Sequence, residues 1–178
     1  MEAQVIIDKY YGEQAALLEI LVKHSRSVAN MALEIAHRHP ELHADEQFLF
    51  EASMLHDIGI IYTDAPGIQC FGTEAYIRHG LIGGELLRKE GFPCHARVAE
   101  RHTGTGITAT AIRIQHLPLP IGDYIPETIE EQIICYADKF FSKSHLDIKR
   151  TPEQVLHSLE KFGDEGIARM RAWMQRFG

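Results

Sequence analysis

Apolar residues recur along most of this chain at the three-and-four spacing of an amphipathic helix. No stretch of four to eight residues shows the strict alternation, bounded by turn residues, of a half-buried strand. The longest pattern covers 13–39, where Leu17, Ile20, Leu21, His24, Val28, Met31, Ala32 and Ile35 share one stripe, Ser25 offers a place for a bend, and Pro40 follows. A second helix is predicted over 45–57, opened by Asp45, closed by Gly59 and apolar on most sides, as a central helix would be. A third covers about 74–90 and stops at Gly91 and Pro93; a fourth covers about 94–102 and stops at Gly104. A fifth opens at Pro126 or at Thr128, with Glu131 three on, and runs to about 142. Thr151, Pro152 and Gln154 read as N-cap, N1 proline and capping-box partner of the C-terminal helices over 151–177.

Between these helices lie two long connections. Residues 60–73 hold Pro66, Gly67 and Gly72; residues 103–125 hold Gly104, Gly106, Pro118, Pro120 and Gly122, with room for a turn or two of helix over 109–117. With 178 residues, 45% hydrophobic and 24% charged, and no repeat or linker, the chain is expected to form one all-α domain, a single helical bundle over 1–178. Trp173, Met170, Met174 and Phe177 are expected to close that domain's own core; oligomeric state stays open.

Charge and cysteine content narrow the setting. Eighteen Lys and Arg stand against 25 Asp and Glu, a formal net charge of −7, so the overall field repels a polyanion and argues against a nucleic-acid polymer as partner. Three cysteines with no CxxC pair make a poor disulfide framework. No apolar run is long enough for a membrane helix, and residues 1–14 carry acids where a signal peptide needs cations and then an apolar run, so a cytoplasmic protein without a membrane partner is expected.

Eleven histidines stand out, and some fall on apolar stripes, where an unpaired imidazole or carboxylate is costly. His24 sits in the stripe of the first helix. His56 completes Leu49, Ala52 and Ser53, with Asp57 beside it. His79 leads into Ile82 and Leu86, His102 follows Val98 and Ala99, and Asp138 lies among Ile134, Ala137 and Phe141. Five helices therefore aim polar atoms at the core. A bundle that converges His and carboxylate side chains on one point builds a metal site. Four imidazoles and two carboxylates without a thiolate suit a catalytic Fe, Mn, Co, Ni or Zn ion, and six donors fit two ions bridged by a carboxylate. Taken alone, each histidine has a plainer reading as a hydrogen-bonded core residue, and Asp138 as a pair for Lys139 or Lys143; the coincidence across five helices favours the metal.

The ordered set His24, then Met54-Leu55-His56-Asp57-Ile58-Gly59, then Tyr136-Ala137-Asp138, resembles the HD superfamily of metal-dependent phosphohydrolases, in particular its HDIG-type members, over about residues 20–143. The resemblance implies an HD-type helical fold in which His24, His56, Asp57 and Asp138 ligate a divalent metal. His79 and His102 resemble the added histidines of the dinuclear subgroup, which includes symmetrical dinucleoside tetraphosphate hydrolases. The implied activity is hydrolysis of a phosphate ester or anhydride in a nucleotide or other small phosphorylated compound, by a water on one or two ions, Fe or Mn favoured and Ni, Co, Zn or Mg open, with Asp57 bridging the ions and orienting the nucleophile. Arg26, Arg78, Arg101 and Lys139, neighbours of the ligands, are the candidate phosphate contacts. Ile60 stands where members often carry Lys or Arg and where the mononuclear nucleotidases carry a catalytic Glu, and the Gly-Tyr-Pro signature of cyclic-dinucleotide phosphodiesterases is absent. A di-iron oxygenase on the same fold and a non-catalytic ligand-sensing module are the alternatives.

The remaining polar clusters have bland readings. His37, His39 and His43, and likewise His95, His116, His145 and His157, are expected to be solvated. Asp64 in the first connection is a candidate lid or substrate contact, and the Gly104-Thr105-Gly106 turn a candidate for backbone contact with a phosphate.

Overall fold

The structure is a computed structural model describing residues 3–178, and the pattern of apolar positions is realised as helices nearly throughout. The helices are α1 (Ala3–Tyr11), α2 (Ala15–Arg38), α3 (Glu46–Leu55), α4 (His79–Lys89), α5 (Pro93–Arg101), α6 (Ala109–Gln115), α7 (Ile129–Asp138), α8 (Pro152–Leu159) and α9 (Asp164–Phe177). The fold is all-α. Among the described residues the one sheet is a minimal antiparallel hairpin in the first long connection, β1 (Asp64–Ala65) with β2 (Cys70–Phe71), in register Asp64 to Phe71 and Ala65 to Cys70. Two residues per strand are too few to show alternation, so the sequence pattern passes over it.

Caps place the ends of the helices. Asp45 accepts from Phe48 N at the start of α3, and capping boxes open α7 (Thr128 with Glu131) and α8 (Thr151 with Gln154). Thr128→Ala removes the acceptor for the Glu131 amide, and the expected cost is about 1 kcal/mol in urea denaturation. A loss below about 0.3 kcal/mol would show that Arg97, bonded to the Glu131 carboxylate at 2.8 Å, holds the end of the helix without its cap.

Two apolar clusters meet across the bundle. One gathers Val28, Ile35, Leu49, Ile134 and Tyr136 with Met170, Trp173 and Phe177 of α9; the other gathers Ile7, Tyr11, Leu17, Leu21, Leu55, Ile58 and Leu87. The C-terminal helix thus closes the chain's own core. On α2, His24 lies between Leu21 of one cluster and Val28 of the other, so the polar centre sits at the seam.

α1 was not among the helices expected from the sequence, and it has a positioning role. Tyr11, fully buried, donates its hydroxyl to Ile58 O at 2.7 Å and accepts from Ile61 N at 3.2 Å, fixing the 3-10 turn Ile58–Tyr62 that follows His56 and Asp57. Against that turn lies α4, and the approach is close: a Cβ on Gly59 would stand 2.2 Å from His79 O and 2.4 Å from Gly83 N. On the other side of α4, a Cβ on Gly80 would stand 2.5 Å from Ala99 O of α5. Two glycines therefore bring the turn, α4 and α5 into backbone contact.

Candidate metal centre

The six inward polar residues meet. His24 projects from the middle of α2; the others sit at helix ends, with His56 and Asp57 just past α3, His79 opening α4, His102 capping α5 and Asp138 ending α7. Each is buried, with His56 and Asp57 completely so. Their donor atoms form two groups that share Asp57: His24, His56, Asp57 and Asp138 in one, Asp57, His79 and His102 in the other, each with its donors within 4.8 Å of one another. Asp57 divides its oxygens between them. Oδ2 lies 3.2 Å from His24 Nε2 and 3.0 Å from His56 Nε2, while Oδ1 lies 3.4 Å from His79 Nε2 and 3.3 Å from His102 Nε2.

Three of the rings are oriented by their own helices. Nδ1 of His56, His79 and His102 donates to the carbonyl three residues back, Ser53, Tyr76 and Ala99, at 2.6, 2.6 and 2.7 Å. A carbonyl only accepts, so Nδ1 carries a proton in all three rings and Nε2 is the atom presented to the centre, the orientation a metal ligand needs. His79 Nε2 and His102 Nε2 then confront each other at 3.0 Å as two bare lone pairs, an arrangement a shared cation relieves. Among the described residues His56 Nε2 and Asp57 Oδ1 are buried without a hydrogen bond, and Asp57 Oδ2 is met only by the Lys143 ammonium at 2.6 Å and two imidazoles. Buried ligand atoms of this kind, converging on one point, fit a divalent ion.

The electrostatics hold the two carboxylates charged and divide the imidazoles. Burial would raise the Asp57 carboxyl, yet His56 and Lys143 hold it well below the usual carboxylate range; Lys139, His24 and His56 do the same for Asp138. Burial opposes charge on His56 too, but Asp57 and Asp138 outweigh it and lift the imidazole to about 9. Burial, with His102 alongside, pushes His79 down to about 3, and burial lowers His102 against the pull of Asp57. One ring is thus drawn toward charge by the carboxylates and two are kept neutral.

A cleft of about 420 Å³ opens onto the centre, with His79, His102 and Asp138 in its floor. Its walls carry Lys139, Lys143, Arg150 and Lys161, together with Tyr76, Phe141 and Phe162. Of the four cations proposed from sequence, Lys139 lines this cleft and donates to His102 O at 2.8 Å. The three arginines are placed elsewhere. Arg26 lies over the Phe50 ring at 5.6 Å, Arg78 pairs with Glu74 at 3.0 Å, and Arg101 donates to Ile125 O and meets Glu127, both at 2.9 Å. Sequence nearness to a ligand fails for them because each step along a helix turns the side chain by about 100°, so Arg26, two residues past His24, points about 200° away from it. Lys143 was read only as a pair for Asp138; instead its Nζ stands 2.6 Å from Asp57 Oδ2. Arg150 and Lys161 had no sequence signal, since the stretch before α8 and the 3-10 turn Glu160–Phe162 after it reach the cleft only through tertiary packing.

Other readings divide. His37 and His43 are exposed, with His37 against Glu46 and the half-buried His39 against Glu41. His116, His145 and His157 are exposed. His95 is not solvated: it is buried between the rings of Phe48 and Phe92, at 4.7 and 5.7 Å, and burial lowers its pKa. Asp64 is exposed on the hairpin. Gly104 lines the cleft, and Thr105 anchors its turn to α9 by donating to Gly166 O at 3.1 Å. All three cysteines are free, Cys70 and Cys135 buried and Cys94 exposed. Among the described residues no helix is long and apolar enough to cross a membrane.

Residues 21–142 match a family model described as HD domain. A tRNA (cytidine(56)-2′-O)-methyltransferase of Thermoplasma volcanium is 32% identical over 178 residues, 99% of this chain and 46% of that protein. One from Picrophilus torridus is 33% identical over 129 residues, 72% of this chain and 33% of that protein. An uncharacterised protein of Methanocaldococcus jannaschii is 33% identical over 147 residues, 80% of this chain and 77% of that protein. The chain thus spans less than half the length of the methyltransferases it matches. No solved structure matches it.

These relatives correct the functional expectation. Both methyltransferases are named for transferring a methyl group to tRNA, which overturns the assignment as a hydrolase of a nucleotide or other small phosphorylated compound. Neither is named as an oxygenase or a ligand sensor. The exclusion of a nucleic-acid polymer falls as well. It rested on a net charge of −7, but charge is unevenly placed, and among the described residues the cleft lining gathers four cations and one acid, Asp138. A metal centre is compatible with many chemistries, so the ligand set alone was no guide to the reaction.

Proposed function

The chain belongs to the HD domain family, and on that footing we propose that it is a divalent-metal-binding module that engages tRNA in the service of ribose 2′-O-methylation. The observation that carries this reading is the alignment of 99% of the chain with the Thermoplasma volcanium methyltransferase. That protein is more than twice as long as the matched region, so the reading assigns the metal centre and an RNA-binding cleft to this chain and leaves methyl transfer to the whole enzyme.

The donor set supports two ions sharing Asp57, iron or manganese in preference, since imidazole and carboxylate donors without thiolate suit both. Bound there, the ions supply fixed positive charge and Lewis acidity at the floor of the cleft. The chain's own residues then do the selecting. Lys139, Arg150 and Lys161 attract phosphate, and the rings of Phe141 and Phe162 offer apolar faces to a base. A cleft of about 420 Å³ admits a terminal or extruded nucleotide of a folded RNA rather than a duplex.

Filter binding of a labelled tRNA transcript tests the reading, with protein saturated in Mn²⁺ and with protein stripped by chelator. Metal-dependent binding that weakens with salt is expected, and Lys161→Ala should lower affinity alike for any tRNA sequence. Metal-saturated protein that leaves tRNA unbound at low salt overturns it.

A further inference from the structure

The two halves of the centre differ in how they are neutralised. Among the described residues Asp57 Oδ1 pairs with the imidazoles of His79 and His102 and with no ammonium or guanidinium group. Asp57 Oδ2 faces His24 and His56 and also Lys143 Nζ at 2.6 Å, and Asp138 of the same group carries Lys139 Nζ on its Oδ2. The group with more ligands is therefore the one already matched by two ammonium groups. A divalent ion on Oδ2 would sit about 2 Å from that oxygen, within a few ångströms of the Lys143 ammonium, where like charges repel strongly at any plausible protein dielectric. Lys143 has an alternative place. It lies beyond α7, on the stretch that walls the cleft with Ser142, Ser144 and Arg150, so its side chain reaches either the carboxylate or the cleft.

Resting on the metal-binding part of the reading above, we propose that Lys143 is an internal competitor for the metal position at Asp57 Oδ2, and that an anion in the cleft frees this position by drawing Lys143 onto itself. Two divalent ions and two lysines against two carboxylates leave a large positive excess, which a phosphate group of RNA offsets. The position built on Oδ1, His79 and His102 fills first despite its fewer ligands. Occupation of the second position and binding of the phosphate strengthen each other, as linkage requires.

Calorimetric titration of the full chain with Mn²⁺, with and without inorganic phosphate, tests this on wild type, Lys143→Met and Lys143→Arg, each checked for folding by circular dichroism. In wild type the weaker Mn²⁺ equivalent should tighten about tenfold in phosphate. Lys143→Met should bind that equivalent about tenfold more tightly without phosphate and gain little from it, while Lys143→Arg keeps the wild-type pattern. Independently of any variant, saturating Mn²⁺ should raise amine labelling of Lys143 several-fold, read by mass spectrometry. Unchanged labelling, unchanged Mn²⁺ affinity in Lys143→Met, or an equal phosphate effect in wild type and Lys143→Met, which would mean that phosphate acts by ligating the metal directly, overturns the inference while leaving the metal centre in place. Wild type that binds no Mn²⁺ overturns both.

Discussion

Asp57→Asn is expected to remove nearly all bound metal, from about two equivalents to less than about a tenth of one, while His79→Ala removes only one. The asymmetry follows from geometry. Asp57 is the one residue common to both donor groups, and each of its oxygens faces a different pair of imidazoles. An amide keeps the shape but loses the charge and replaces one acceptor by a donor, which faces either the His24 and His56 pair or the His79 and His102 pair with the wrong polarity. His79→Ala leaves the four-residue group whole. Elemental analysis of protein reconstituted with Mn²⁺ in phosphate, and freed of excess by gel filtration in the same buffer, gives both numbers. Loss of equal metal in the two variants would mean a single ion held by all six residues. Asp57→Asn also removes the counter-charge that holds Lys143 inward, so its circular dichroism must be compared with wild type before the metal content is interpreted.

How much of this centre was legible depends on where each residue sits relative to its own helix. His24, His56, His79, His102 and Asp138 each occupy an apolar stripe, and a polar residue on a buried stripe is visible in one dimension because helical spacing alone decides which way it points. The capping boxes at Thr128 and Thr151 were equally readable, being local. What stayed hidden was set by tertiary contact. Tyr11 fixes the turn after Asp57 across 47 residues of sequence, and no local pattern marks a tyrosine for that task. Lys143 lies in irregular chain past the end of α7, where no periodicity gives its direction. His95 read as solvated because its two aromatic neighbours come from α3 and from the loop residue before α5. Gly59 read as a helix stop, and its stronger reason for being glycine appears only when α4 is packed against it.

That reason leads to the second large effect. Gly59→Ala is expected to destabilise the fold by more than about 3 kcal/mol, a fall in melting temperature of about 6–12 °C for a domain of this size. The added methyl would lie 2.2 Å from His79 O, 2.4 Å from Gly83 N and 3.0 Å from Gly83 Cα, all backbone, so no rotamer change relieves the clash and α4 must move as a body. Since α4 opens with His79, its displacement also separates His79 Nε2 from Asp57 Oδ1, now 3.4 Å apart, and from His102 Nε2, now 3.0 Å. The variant should therefore lose the metal share that depends on His79 while keeping that of the four-residue group. Gly67→Ala is the control: it lies in the same connection, its Cβ would meet nothing within 4 Å, and its melting temperature should match wild type. If Gly59→Ala melts within about 2 °C of wild type, the close approach of the turn to α4 is not what holds the two donor groups together.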